Sequence, residues 1–594
     1  MPQQSIETGK QAYRENLSDF ILSEREEDRQ GAKEEIAGQP ISEYSNDSHT
    51  PILYDISPLT YGNSAFSVRP SESETDWHFN GERDVAVVFN PKKVFYGKAT
   101  STKFDNTIRV RIEPDDQSDF KREMASHKSN SIHLVGYFNP TTYDREEEAL
   151  KWICRDDRKW DIITGRQKVK FEREVSDQTP RFDEKLYENQ NQFKSIALSL
   201  AADDIACIQG PPGTGKTRLI VEIVRRLVAD GNRVLVAAQT NTAVDNVLVG
   251  DSSTEEVDET SLHHFNDQDW DQDGAVSLYR NNISQSNNPF VKSAYNYTDE
   301  RKARVVVSTN NSAWDLYPEE KFDCAIIDEA AQATKTSTFI PWVLSERLVL
   351  VGDHKQLPPE RQSEPSGPED TRHTSLFEDL YSETGLYGPR IGTMLNQQYR
   401  SHKLIASLFS ELFYDGNVST AVERTPALGS LPLRLIDVGN CSEEKLWKNE
   451  LEALTMAAEA DRAITNGVKP ENIGIATPYR DQVNEIEAAL QEANIEGRNR
   501  IFVDTFTRFQ GNERDVMLIS FTRSNDRGNV GFLRHESGPN RLNVGISRGK
   551  KHTSFVGDWD TLRTHRLYDQ LFEKITEYTD PINYTADQVM RFKT

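Results

Sequence analysis

The residues with the most definite chemistry in this chain are Gly210, Pro211, Pro212, Gly213, Thr214, Gly215, Lys216 and Thr217, which match GxxxxGK[ST] at every fixed position. In such a loop glycines let backbone N–H groups close around phosphate oxygens at a helix N-terminus. The lysine neutralises β and γ oxygens, and the threonine hydroxyl is a ligand for Mg2+. The pattern needs a strand before it and a helix after it. IACIQ reads as a buried strand and RLIVEIVRRLVAD as the helix. On its own the loop says only nucleotide, because kinases, transporters and motors all carry one.

An acidic pair narrows the choice. In FDCAIIDEAAQA an apolar strand ends at Asp328-Glu329. There one carboxylate can hold Mg2+ while its neighbour orients and deprotonates an attacking water. Hydrolysis of ATP is therefore favoured over phosphate transfer to a metabolite. Further segments follow in order: QTNTAVDN (239–246), STNNSA (308–313), VGDHKQLPP (351–359), LNQQYRSH (395–402), IGIATPYRDQ (473–482), TFTRFQGNERD (505–515) and RLNVGISRGK (541–550). With these the chain, from about 186 to 558, resembles the superfamily 1 helicases of the nonsense-mediated-decay helicase type, which are P-loop motors.

The resemblance implies roles for particular residues. Gln192, in ENQNQFKSIALSL, would hydrogen-bond adenine, and Tyr399 would stack on the base. Gln356 would sense the γ-phosphate. Arg400 and Arg548 would reach across a cleft as arginine fingers, and Glu513 would lie near the ribose or γ-phosphate. Strand contacts implied in the same way are Thr240, Asn241, Thr242, Ser308 and Thr309 on a first domain, with Pro478, Tyr479, Arg480 and Thr505 on a second. Hydroxyls and amides aimed at phosphates carry little sequence information, so binding is expected to tolerate any sequence. Outside such a motif series the same Ser, Thr and Asn types are more often helix caps and turn formers, and arginines pair with surface acids. The chain departs from the family pattern at Thr507, where an acidic residue is usual, and at Ser401, Gly545 and Ser547.

These residues must be positioned by parallel α/β units. The runs IACIQG, RVLVAAQ, ARVVVST, CAIIDEA and RLVLVGD each lead into a loop and then a helical stretch, so the motifs fall at strand C-termini, where open α/β sheets bind ligands. The expected fold class is α/β: two tandem RecA-like P-loop domains with parallel sheets at 186–374 and 375–594, and a small N-terminal β-barrel-like accessory domain at 51–150. Residues 1–50 are expected to be an acidic segment with one amphipathic helix about Tyr13, Leu17, Phe20 and Ile21 and flexible elsewhere. A linker is expected at 151–185, an acidic insertion at 249–300 and an exposed loop at 360–374.

The net charge of −25 sits poorly with a polyanion ligand until its distribution is considered. Residues 1–50 and 251–300 supply −15 of it, leaving room for a local basic groove elsewhere. Cys154, Cys207, Cys324 and Cys441 lie far apart with no CxxC pair, which leaves neither a zinc nor an iron–sulfur site readable. No apolar run approaches a bilayer span, and the start MPQQSIETGKQAYREN lacks the apolar core of a secretory signal, so no membrane partner and a cytoplasmic location are expected. The expected ligands are ATP, Mg2+ and single-stranded or tailed nucleic acid, DNA or RNA. A monomer is expected, with protein partners at the acidic segments and travel 5′ to 3′ by the resemblance. The alternative is an ATP-gated clamp or remodelling scaffold that grips nucleic acid without unwinding it.

Overall fold

The computed structural model describes residues 2–44, 51–56, 58, 60–61, 64–70, 77, 82–102, 107–126, 132–175, 179–250, 257–264, 269–271, 274–275, 277–295, 303–316, 321–360, 362–363, 371–439, 447–534 and 537–590. By packing the chain divides into two units, Met1–Asp157 with Arg361–His373, and Arg158–Glu360 with Thr374–Thr594.

The first unit holds an antiparallel seven-stranded half-barrel sheet in the order Ile52–Leu53, His133–Phe138, Glu82–Asn90, Lys93–Thr102, Thr107–Ile112, Ala65–Val68, Thr60–Tyr61. Alternation along Glu82–Asn90 sends Val85, Val87 and Phe89 into a core with Phe66, Phe95 and Phe120, while Ala86 and Val88 join Ile36, Val135 and Tyr137 on the other face. Residues 2–36 form one 35-residue helix, not a flexible segment with a short helix in it. Its buried stripe runs through charged positions as well as apolar ones. Leu17, Phe20 and Ile21 are followed by Glu24, whose carboxylate accepts backbone N–H bonds from Gln362 and Ser363, both at 2.8 Å. Arg29 then pairs with Asp84 at 2.9 Å, and Lys33 with Glu113 at 3.0 Å. Of the expected 360–374 loop, residues 362–363 and 371–373 thus pack within this unit.

The second unit contains two parallel sheets, built mainly of buried apolar strands with helices between them; the edge strands of the second sheet are half-buried or exposed. The first runs Leu278–Arg280, Val305–Thr309, Val234–Ala238, Phe322–Asp328, Ser345–Gly352, Ile205–Gln209, Gly392–Met394. The second runs Phe502–Thr505, Ile473–Thr477, Arg514–Ser520, Gly549–Gly557, Leu433–Asp437, Ile582–Asn583. Two strands lie where the sequence reading had none. Leu278–Arg280, inside the expected acidic insertion, pairs with Val305–Val307. Gly392–Met394, beyond the expected boundary at 375, pairs with Cys207–Gln209 and closes the edge of the first sheet. Both are only three residues long, too short for a run of apolar residues to mark them. Part of the acidic insertion, including 251–256, 265–268 and 296–300, lies outside the described residues, as does Cys441. Cys154, Cys207 and Cys324 are buried free thiols, and burial raises the pKa of each. No helix among the described residues is long and apolar enough to cross a membrane.

Candidate nucleotide cleft and strand edges

Strand Ile205–Gln209 ends under the glycine loop, and helix Lys216–Ala229 starts at its far side. Gly213 and Gly215 take left-handed φ values of +71° and +82°, which favour glycine. The loop is pinned by Gly210 N–H donating to the Gly352 carbonyl at 2.9 Å and by the Thr214 hydroxyl donating to the Pro211 carbonyl at 2.7 Å. A Cβ on Gly210 would lie 2.2 Å from Lys216 Cγ, so the missing side chain is what lets the lysine fold back over the loop. Lys216 Nζ donates to the Gly210 carbonyl at 3.0 Å and lies 3.7 Å from Glu329 Oε1.

The acidic pair ends the adjacent strand Phe322–Asp328. Burial pushes the Asp328 carboxyl up from its ordinary value and the neighbouring Glu329 adds to this, while Lys216 opposes both. Glu329 sits at φ +50°, a strained backbone for a non-glycine residue, and its Oε2 accepts from Gln332 Nε2 at 2.8 Å.

Residues from beyond the first sheet meet this loop. Tyr399 N–H donates to the Gly213 carbonyl at 2.8 Å, and a Cβ on Gly213 would lie 2.6 Å from Arg400 Cβ. The Arg400 guanidinium pairs with Glu513, which Lys550 also holds at 2.7 Å. Burial alone would raise the Glu513 carboxyl, but Arg400 and Lys550 hold it down at about 2. Arg548 is buried and donates to Gln356 Oε1 at 2.7 Å, while Gln356 Nε2 donates to Asp353 at 2.7 Å. Burial, and then the neighbouring Arg400, lower the Arg548 pKa, so an anion placed between the two guanidinium groups would relieve both. Gln192 is buried, donates to the Thr214 carbonyl at 3.3 Å and accepts from the Tyr399 hydroxyl at 3.5 Å. Tyr399 is 38% exposed.

The implied strand contacts lie at the C-terminal edges of neighbouring strands in each sheet: Val234–Ala238 beside Val305–Thr309, and Ile473–Thr477 beside Phe502–Thr505. Many of their side chains are engaged in structure. Thr240 caps helix Asn241–Val249, accepting from Ala243 N–H at 3.2 Å. Asn241 Oδ1 accepts from Arg280 at 2.8 Å, while Thr240 and Thr242 are exposed. The Ser308 side chain is fully buried, donates to the Thr309 carbonyl at 2.9 Å and accepts from Asn281 at 3.1 Å. The Thr309 side chain is also buried and accepts from Ser312 N–H at 3.3 Å. Pro478 and Tyr479 are buried, leaving backbone rather than side chain on offer. Arg480 is exposed and pairs with Asp504 at 3.2 Å, and Thr505 is half-buried.

AAA-domain family models match 188–266 with 261–364, and 372–560, which are the stretches carrying the two parallel sheets. The DNA-binding protein SMUBP-2 of Rattus norvegicus is 27% identical over 539 residues, which cover 79% of this chain and 53% of that protein. The ATP-dependent helicase NAM7 of Saccharomyces cerevisiae is 28% identical over 543 residues, covering 82% and 54%. The chain belongs to the superfamily 1 helicase family of the Upf1-like type. It spans about half the length of these two curated relatives. A solved structure titled "The structure of PRRSV helicase" is 12% identical at a TM-score of 0.34, covering 82% of this chain and 66% of that one.

Within this superfamily 1 chain the sequence reading passed over a second layer of the cleft. Asp353 accepts from Gln356 and from the hydroxyl of Tyr414, a fully buried tyrosine that in turn accepts from Asn543 at 2.8 Å. Asn543 also donates to the Lys355 carbonyl at 2.8 Å, and Asn540 donates to the His354 and Gln356 carbonyls. Asp353 and Asn543 sit inside quoted motifs, so a signal existed, while Asn540 falls one residue before the last of them. Tyr414 lies outside every motif, and nothing in its neighbourhood distinguishes it from a core aromatic.

Proposed function

We propose that this chain hydrolyses ATP to move along single-stranded or tailed nucleic acid and to separate paired strands, travelling 5′ to 3′. The observation that carries this reading is the meeting of the glycine loop with Tyr399, Arg400 and, through Gln356, Arg548 in one cleft. A metabolite kinase would have no use for the two arginines.

In this mechanism the glycine-loop amides and Lys216 bind the β and γ phosphates, Gln192 reads the adenine edge and Tyr399 stacks on its face. Thr217 and Asp328 offer the all-oxygen donor set that a hard cation prefers, and the buried Asp328 carboxyl beside Glu329 is a place where added positive charge is favourable. They would hold Mg2+, which supplies charge neutralisation on the phosphate oxygens. Glu329, outside the strand and tied to Gln332, takes the proton from the attacking water.

Arg548 and Arg400 leave Gln356 and Glu513 for the transferring phosphoryl group, whose developing negative charge they neutralise. Binding therefore favours a closed arrangement of the two sheets, and loss of the γ-phosphate favours an open one. Gln356 ties that change to the nucleic acid, because it touches Arg548 and follows the strand end at Gly352. Strand contacts fall to Thr242, Arg480 and Thr505 through side chains, and to Thr240, Asn241, Ser308, Thr309, Pro478 and Tyr479 through the backbone. The motor acts as a cytoplasmic monomer, with the acidic segments facing protein partners.

The test is the ATPase rate with matched DNA and RNA single strands, alongside strand separation on duplexes tailed at either end. Stimulation together with separation is expected. Stimulation with no separation on any tailed duplex would leave the clamp reading in its place, and no stimulation by any strand would remove nucleic acid from the function.

A further inference from the structure

Tyr479 is the aromatic residue of the TPYRDQ segment, yet its ring is not what a strand would meet. It is 8% exposed, and the ring of Trp447 covers it with centroids 4.9 Å apart and planes tilted by 55°. Trp447 itself is 41% exposed. Behind the pair, the Arg523 guanidinium lies 5.9 Å from the Trp447 ring. Gly531, at φ +61°, runs so close to Tyr479 and Arg523 that a Cβ there would sit 2.6 Å from the tyrosine hydroxyl.

The backbone that carries Trp447 is held at the C-terminal edge of the second sheet by a buried polar network. Asn449, two residues on, donates its N–H to Gln482 Oε1 at 2.7 Å, and its carbonyl accepts from Gln482 Nε2 at 3.1 Å. Its amide donates to the Thr522 carbonyl at 3.3 Å. Glu452 closes the network, accepting from Ser520 Oγ at 2.6 Å and Thr522 N–H at 2.8 Å, and so holds Thr522 at a strained φ of +73°. Ser520 ends strand Arg514–Ser520, and Gln482 lies in the helix that begins at Arg480, just past the end of its neighbour Ile473–Thr477. An exposed tryptophan on a mobile stem would pay a large ordering entropy on binding. Trp447 packs on Tyr479 two residues from this network, which lowers that cost.

We infer that Trp447 is a stacking platform for a base of the single strand on the second sheet, standing in for the covered Tyr479. The inference rests on the nucleic-acid reading above. The occupant is a nucleobase because the exposed surface is aromatic with a guanidinium 5.9 Å from its ring, and because the Tyr479 on which it packs is followed by Arg480, whose side chain is 68% exposed. Stacking accepts every base, which agrees with hydroxyl and backbone contacts that carry no sequence information.

The test measures binding of a fluorescein-labelled oligothymidylate and of an abasic strand of the same length to wild type, W447A and W447F. W447A is expected to bind oligothymidylate about five- to a hundredfold more weakly, the range seen when a stacked aromatic is removed, and W447F to recover most of that loss. On the abasic strand the three proteins are expected to match, because no base is there to stack. Equal losses on both strands would overturn the proposal, pointing to the fold or to phosphate contacts. Full affinity of W447A for oligothymidylate would also overturn it and leave the face to a protein segment. If wild type binds neither strand, the nucleic-acid reading itself fails, and that result is distinct from a failure of Trp447 alone.

Discussion

In the nucleotide cleft, the residues that the motifs name touch one another: Lys216 reaches toward Glu329, Arg548 holds Gln356, Arg400 pairs with Glu513, and Tyr399 bonds Gly213. At the strand edges of the same unit the named residues touch the scaffold instead. Ser308 is sealed beneath Asn281, Thr240 caps a helix and Tyr479 lies under Trp447. On the proposed function, the contrast follows from the two chemistries. Phosphoryl transfer needs charges of fixed sign at fixed places, so residue types there have few substitutes. Gripping a sugar–phosphate chain needs only donors, which amides, hydroxyls and helix starts all supply, so one residue can be traded for its neighbour's backbone.

The sharpest way to break that contrast is Lys216→Ala. The γ-phosphate would lose its nearest cation and Glu329 its closest positive neighbour, so loss of measurable hydrolysis is expected in a phosphate-release assay. Appreciable turnover would mean that the cleft tolerates substitution as the edges do. Next is Arg548→Ala, expected to lower turnover on the order of 10³-fold while nucleotide affinity falls far less. Arg548→Lys should recover little, since an ammonium cannot present a planar guanidinium fork to the transferring phosphoryl oxygens. Equal losses of turnover and affinity would reduce Arg548 to a binding residue.

The same contrast explains what could be read from the sequence. The glycine loop was legible because motif, preceding strand and following helix agree, and the arginines because seven segments keep their order. The long N-terminal helix was not, because its buried stripe passes through Glu24, Arg29 and Lys33, each of which is charged and looks solvated until its partner is known. The edge strand Leu278–Arg280 hides in an acidic stretch, although Arg280 is buried against Asp245 at 2.9 Å. Trp447 belongs to no motif, and only its cover over Tyr479 gives it a meaning.

On the edge side, the effects should move from function to stability. Thr240→Ala removes a helix cap and is expected to cost about 1 kcal/mol in denaturant unfolding, with a smaller change in strand affinity because the hydroxyl is already engaged. A fall in affinity with no fall in stability would return Thr240 to the binding surface as its main role.

The smallest effect is expected for Ser308→Ala. The hydroxyl is buried and bonded at both ends, to the Thr309 carbonyl and from Asn281 Nδ2. Removing it need not orphan Asn281, whose amide also donates to the Ser312 carbonyl at 2.7 Å. The loss should therefore stay near that of one ordinary hydrogen bond, about 1 kcal/mol, and appear in the unfolding midpoint alone. Affinity for a single strand should hold to within about twofold, roughly 0.4 kcal/mol, since the fully buried hydroxyl does not face a bound strand. A larger loss of affinity would show that the serine turns outward when a strand binds, and the division between a cleft of fixed side chains and an edge of interchangeable donors would have to be redrawn at that position.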